Sequence, residues 1–151
     1  MMRLILSLPL LLAASLSCAD DHDHTPAQDA QLDKRAALRL SPYERGHLLL
    51  EMRQFLAGVH SITHGLSVKD MKSVTAAARS QGMAAAHAVP AALRRKLPLE
   101  FRQLGSRTHQ AFDDLARDAE SLGDPQHSLT QLADILQDCV ACHASYRLGA
   151  E

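Results

Sequence analysis

From Ser41 onward the apolar residues of this chain recur with the period of an α-helix. Leu48, Met52, Phe55, Val59 and Ile62 follow one another at intervals of four, three, four and three. Ser41-Pro42-Tyr43-Glu44 precedes them as a start signal: a serine to cap, proline at the first helical position and glutamate three after the cap. Gly65 is the expected end of this helix. Ser67 should cap a second helix that turns Val68, Met71, Val74 and Ala78 inward and runs past Gly82 and Met83 toward His87, with Pro90 as its limit. Residues 91–97, with Arg94-Arg95-Lys96, read as a basic connector of about one turn. A third helix opens at Pro98, carries Phe101, Leu104, Thr108, Phe112, Leu115, Ala119 and Leu122 on one face, and stops at Gly123. Asp124-Pro125 starts the next connection, and a fourth helix follows whose seam is Leu129, Leu132, Leu136, Cys139, His143 and Tyr146. The expectation is an all-α protein, an antiparallel four-helix bundle.

The N-terminal residues carry a different signal. A positive start, Met1 to Arg3, leads into an apolar run from Leu4 to Leu16 that is short for a bilayer span and is followed by small and acidic residues. Residues 1–19 read as a signal peptide cleaved after Ala19, so export to the periplasm is expected. A lipid anchor on Cys18 is the weaker alternative, because Ser15 stands where lipoprotein signals usually carry leucine. Residues 20–40 are polar and read as a flexible tether; Asp21, His22, Asp23 and His24 could take up a metal ion, but a solvated tail is the simpler reading. Residues 41–151 then form the helical domain.

Composition narrows the function. Sixteen Lys and Arg against 17 Asp and Glu leave a formal charge of −1, which argues against nucleic acid as the main partner. Aromatic content of 3% with no Trp argues against a β-sandwich, and 46% hydrophobic residues suffice for a core.

Two cysteines remain once the leader is removed, in Cys139-Val140-Ala141-Cys142-His143. This is the order needed for c-type haem attachment: two thiols to bond the macrocycle and an adjacent imidazole to ligate its iron. On a helix the three groups share one face. A thioredoxin-like pair would want a βαβ context, and zinc would want a second ligand pair; neither is present in the sequence. Cys139 and His143 lie in the inward seam, so one covalent haem c is expected between the helices near one end of the bundle, attached close to the C-terminus of the last helix.

The motif at the end of the last of four helices, Cys139-Val140-Ala141-Cys142-His143-Ala144-Ser145-Tyr146-Arg147, resembles the class II c-type cytochromes, the cytochrome c-prime-like four-helix bundles, over residues 41–147. The resemblance implies Cys139 and Cys142 as thioether sites, His143 as proximal iron ligand, and Arg147 as a basic residue one turn further that influences the iron. It also places the residue facing the sixth iron position on the first helix: a bulky apolar residue in five-coordinate members, methionine in low-spin ones. Met52 occupies the inward stripe there and its thioether suits haem iron, although most inward methionines are core residues. Met71 and Met83 are reserves, and His60 and His64 read as partly exposed polar residues. The family often carries arginine a turn before the distal position, where this chain has Leu48; Arg45 and Arg53 could serve the haem propionates instead.

The expected function is that of a periplasmic one-electron carrier with His/Met-ligated haem and no enzymatic activity, exchanging electrons with periplasmic redox proteins. A five-coordinate cytochrome c-prime that binds nitric oxide or carbon monoxide is the alternative. No acid–base pair flanks Met52, since His60 lies two turns along, which disfavours a peroxidase. The alanines at 76–78 and 84–86 would permit a homodimer, and no membrane span is expected.

Overall fold

The computed structural model describes residues 32–150. The expected leader, Cys18 and the acidic-histidine stretch 21–24 lie outside the described residues. The chain divides into two units, Met1–Lys34 and Arg35–Glu151, and the bundle is the second of them.

Its elements are β1 (Ala36–Leu40), α1 (Pro42–Ser67), α2 (Met71–Arg79), α3 (Met83–His87), α4 (Ala91–Lys96), α5 (Leu99–Ser121), α6 (Pro125–Ser145) and β2 (Tyr146–Ala150). Four helical segments pack together, α1, α2 with α3, α5 and α6, so the fold is an all-α bundle as the periodicity predicts. Ser41 and Glu44 close the predicted capping box on α1: the Ser41 hydroxyl accepts from the Glu44 N–H, and the Glu44 carboxylate accepts from the Ser41 N–H at 3.0 Å. Gly123, at φ +63°, makes the predicted stop after α5. Asp124-Pro125, expected to begin a connection, instead begins α6 directly: the Asp124 side chain caps it by accepting from Gln126 N–H at 2.8 Å. None of the described helices is long and apolar enough to cross a membrane.

Several boundaries differ from expectation, each for a local reason. Gly65 does not end α1. It is buried where α1 crosses α2, and a Cβ there would stand 2.8 Å from Val74 Cγ2. α1 continues to Ser67, and the cap of α2 is Asp70, whose carboxylate accepts from Ser73 N–H at 3.1 Å. The second helix also breaks at Ser80–Gly82. There the Asp113 carboxylate, from α5, accepts from Met83 N–H at 2.9 Å and so starts the short α3.

The main core joins Ile62 of α1, Val74 and Ala78 of α2, Phe112 and Leu115 of α5, and Leu132 and Ile135 of α6. Phe55 stacks on Phe112 with ring centroids 5.6 Å apart. The buried line of α6 is therefore Ser128, Leu132 and Ile135. Leu129 and Leu136, expected inward, are exposed at 47% and 40%. Over the first half of α6 the residues packed in the core are thus Ser128, Leu132 and Ile135 rather than Leu129, Leu132 and Leu136.

The second departure is at the chain ends. Residues 36–40, expected at the end of a polar tether, form strand β1, which pairs in parallel with β2 so that Ala36 faces Tyr146 and Leu40 faces Ala150. The alternation in Leu38-Arg39-Leu40 explains it: the two leucines are buried, at 5% and 3%, and Arg39 is exposed. They join a second cluster with Leu48, Leu93 and Leu97, against which Phe101, Tyr146 and Leu148 pack. α6 ends at Ser145 because Tyr146 turns to extended backbone, where its ring meets Phe101 edge-on at 5.2 Å. Tyr146 is thus not the last residue of a helical seam.

Candidate functional site

α1 packs along α2, α2 along α5, and α5 along α6, whereas α1 and α6 touch over only a short stretch. Between them opens a cavity of about 670 Å³, walled mainly by apolar side chains. This volume is in the range of small-molecule and cofactor sites.

Each wall is one face of a helix. From α1 come Leu48, Met52, Phe55 and Val59, the stripe at intervals of four, three and four. From α5 come Phe101, Leu104, Gly105, Thr108 and His109. From α6 come Leu136, Cys139, Cys142 and His143. The segment around α3 and α4 adds Met83, Val89, Arg94 and Leu97. The structure therefore brings Met52 and the Cys139, Cys142 and His143 group to one cavity, on different helices. Both cysteines are free thiols, half-buried; His143 is exposed at the rim.

The other sequence candidates separate. Met83 lies on the cavity, but Met71 packs against the main core instead. His60 and His64 stack with ring centroids 6.5 Å apart on the exposed side of α1, away from the cavity. Arg53 lines the cavity and Arg45 does not. Arg147 lies in β2, opposite Ala37, and does not line the cavity.

The thiols are not tuned for reactivity. Burial pushes the Cys139 thiol up, and the neighbouring Asp138 carboxylate pushes it further. Cys142 is raised by burial first, then by Cys139 and Asp138. Reactive dithiols show the opposite shift, because they act as thiolates. Asp138 itself pairs with Arg107 of α5 at 3.3 Å, which fixes α6 beside the cysteines. The Arg35 guanidinium donates to the His143 carbonyl at 3.3 Å, tying the last turn of α6 to the segment before β1.

The wall also holds a pair that the helical pattern did not reveal. His109, 5% exposed, hydrogen-bonds through Nδ1 to the Gln81 carbonyl at 2.7 Å and faces Glu51 Oε1 through Nε2 at 3.3 Å. A carbonyl only accepts, so Nδ1 donates, and a second proton on Nε2 serves the carboxylate. Burial opposes the imidazolium most strongly, but the Glu51 hydrogen bond and the Gln81 carbonyl outweigh it, and the His109 pKa lies above its usual value. The only signal in the sequence is that His109 stands one residue beyond Thr108 in the inward stripe of α5, and Glu51 one residue before Met52.

Beside that pair, the cavity wall carries the Asp138 carboxylate, paired with Arg107, and three arginines. Arg53, Arg94 and Arg102 line the cavity, and among the described residues none of the three has an ion pair with an acid. Among the described residues no three His, Cys, Asp or Glu side chains gather to hold a bare metal ion. The donor side chains on the cavity are the thiols of Cys139 and Cys142, the imidazoles of His87, His109 and His143, and the thioethers of Met52 and Met83, in mainly apolar surroundings with three arginines. These residues fit an amphiphilic macrocycle that brings its own metal, with carboxylates for the arginines, better than they fit a naked cation.

No protein-family model matches the chain, and no curated protein or solved structure shows significant similarity to it. What stands is the class of fold, a small all-α helical bundle with one large apolar cavity.

Proposed function

We propose that this chain is an exported one-electron carrier, a monohaem c-type cytochrome. One observation carries the reading: the Cys139-Val140-Ala141-Cys142-His143 motif and Met52 open onto the same apolar cavity from different helices. Cys139 and Cys142 would hold haem c by thioether bonds, and His143 and Met52 would ligate its iron. Bound there, the haem supplies a one-electron couple whose potential the surroundings adjust.

The remaining work belongs to the chain itself. Leu48, Phe55, Val59 and Leu104 give the cavity an apolar wall, and apolar surroundings favour the less charged state of a redox centre beside them. Arg53, Arg94 and Arg102, which line the cavity, would meet the carboxylates of such a group. Export would bring the chain to the periplasm after loss of residues 1–19, where other redox proteins are its partners.

The test is an optical spectrum of the full haem-loaded chain, ferric and reduced, before and after carbon monoxide, with Met52→Ala beside it. The expected result is a low-spin wild type that ignores carbon monoxide and a high-spin variant that binds it. A high-spin wild type that binds carbon monoxide at once would replace the carrier with a gas-binding cytochrome c-prime. A chain that carries no covalent haem would defeat both readings.

A further inference from the structure

Glycine is among the least favourable residues in a helix interior, so a glycine there needs a reason. Three of the described glycines have one in the protein itself. A Cβ on Gly58, Gly65 or Gly82 would collide with Gln81, Val74 or Asp113. Gly123 has a backbone at φ +63°, and Gly149 lies close against Ala37 in the strand pair. Two glycines remain with nothing within 4 Å of where a Cβ would stand, Gly46 and Gly105. Gly46 is on the exposed side of α1 and does not line the cavity.

Gly105 is different. It sits in the middle of α5 on the inward stripe Phe101, Leu104, Thr108 and Phe112, where the pattern asks for an apolar side chain, and it forms part of the cavity wall. Its neighbours above and below on that face, Phe101 and Thr108 to His109, are all large enough to fill space. The protein leaves a gap at this one position, and no protein atom uses it.

We propose that Gly105 is a cofactor-fitting residue: its missing side chain leaves the room into which the porphyrin ring of the haem fits against α5. This rests on the carrier function and adds to it a residue of α5, a helix that supplies neither the attachment cysteines nor the proposed axial ligands. A branched side chain at 105 would project into the cavity and compete with the ring for volume, whereas the same side chain at 46 would meet solvent.

The experiment compares wild type, Gly105→Leu, Gly105→Ala and Gly46→Leu as full chains exported from cells that attach haem c. Covalent haem per chain is read by mass and absorbance, and folding by far-ultraviolet circular dichroism. Leucine is a good helix former, so both leucine variants should keep the helical signal of the wild type. Gly105→Leu should lose covalent haem by about tenfold or more, while Gly46→Leu keeps the wild-type yield. If Gly105→Leu fails to fold, Gly105→Ala carries the decision: its single methyl should shift the Soret maximum or the midpoint potential of the loaded fraction. Wild-type yield and spectrum in Gly105→Leu, or a wild-type spectrum and potential in Gly105→Ala where leucine is not tolerated, overturn the proposal and leave the carrier reading standing. A wild type that takes no haem overturns both, and that outcome is distinct because the wild-type arm itself then fails.

Discussion

The Glu51–His109 pair gives the sharpest stability test. Replacing Glu51 by Gln keeps the shape of the side chain and removes the charge that faces a histidine side chain only 6% exposed. Hydrogen bonds to charged groups contribute about 1.5–3 kcal/mol, and breaking a fully buried pair costs about 3–5 kcal/mol. The Glu51 side chain is 21% exposed and so partly solvated, which places the loss near the lower range, at roughly 2 kcal/mol. In a domain of this size that lowers Tm by about 6–8 °C. The pH dependence carries the sign. His109 in the fold binds its proton more tightly than in the unfolded chain, so its contribution is fully present below the unfolded value of 6.5 and fades as pH rises through the raised folded value. In Glu51→Gln the hydrogen bond and charge of Glu51 are gone while the Gln81 carbonyl remains, so burial meets less opposition and the histidine holds its proton less tightly. Urea unfolding of both full chains from about pH 5.5 to 9 should therefore show the largest difference in stability at the acid end, shrinking with rising pH. Parallel stability curves across that range would refute the ion pair and with it the imidazolium assigned to His109.

Three further outcomes are expected. Leu38→Ala should cost about 2–3 kcal/mol in chemical denaturation, because a buried leucine of the second cluster is truncated; no loss would mean that β1 is a tether in solution. Gly65→Ala should destabilise by about 1–3 kcal/mol despite alanine's better helix propensity, since the new methyl meets Val74 and the Asp70 carbonyl where α1 crosses α2; a rise in Tm would refute that packing. Asp124→Ala should cost about 1 kcal/mol by removing the cap that accepts from Gln126 and His127, measured as a lower urea midpoint at unchanged slope.

Local patterns determined much of this molecule. The capping box at Ser41 and Glu44 and the stop at Gly123 depend on residues within one turn of each other, and they are legible wherever they occur. The stripe Leu48, Met52, Phe55 and Val59 is likewise a property of helical period alone, and it does line one wall of the cavity. That Cys139, Cys142 and His143 share one side of the last helix was legible in five consecutive residues, and all three line the cavity.

What needed the tertiary structure were contacts between residues distant in sequence. Asp70 rather than Ser67 caps α2, because Gly65 lets α1 pack close to Val74 and the helix runs on for two more residues. Asp113 splits α2 from α3 by bonding an amide thirty positions away. The parallel pairing of β1 with β2 spans nearly the whole described chain, and the alternation in Leu38-Arg39-Leu40 alone is too short to announce a partner. The cavity itself is such a result. Periodicity tells which side of a helix turns inward, but only the short contact between α1 and α6 shows that the inward faces stand apart there, leaving Met52, Gly105, His109 and the two cysteines around an open volume.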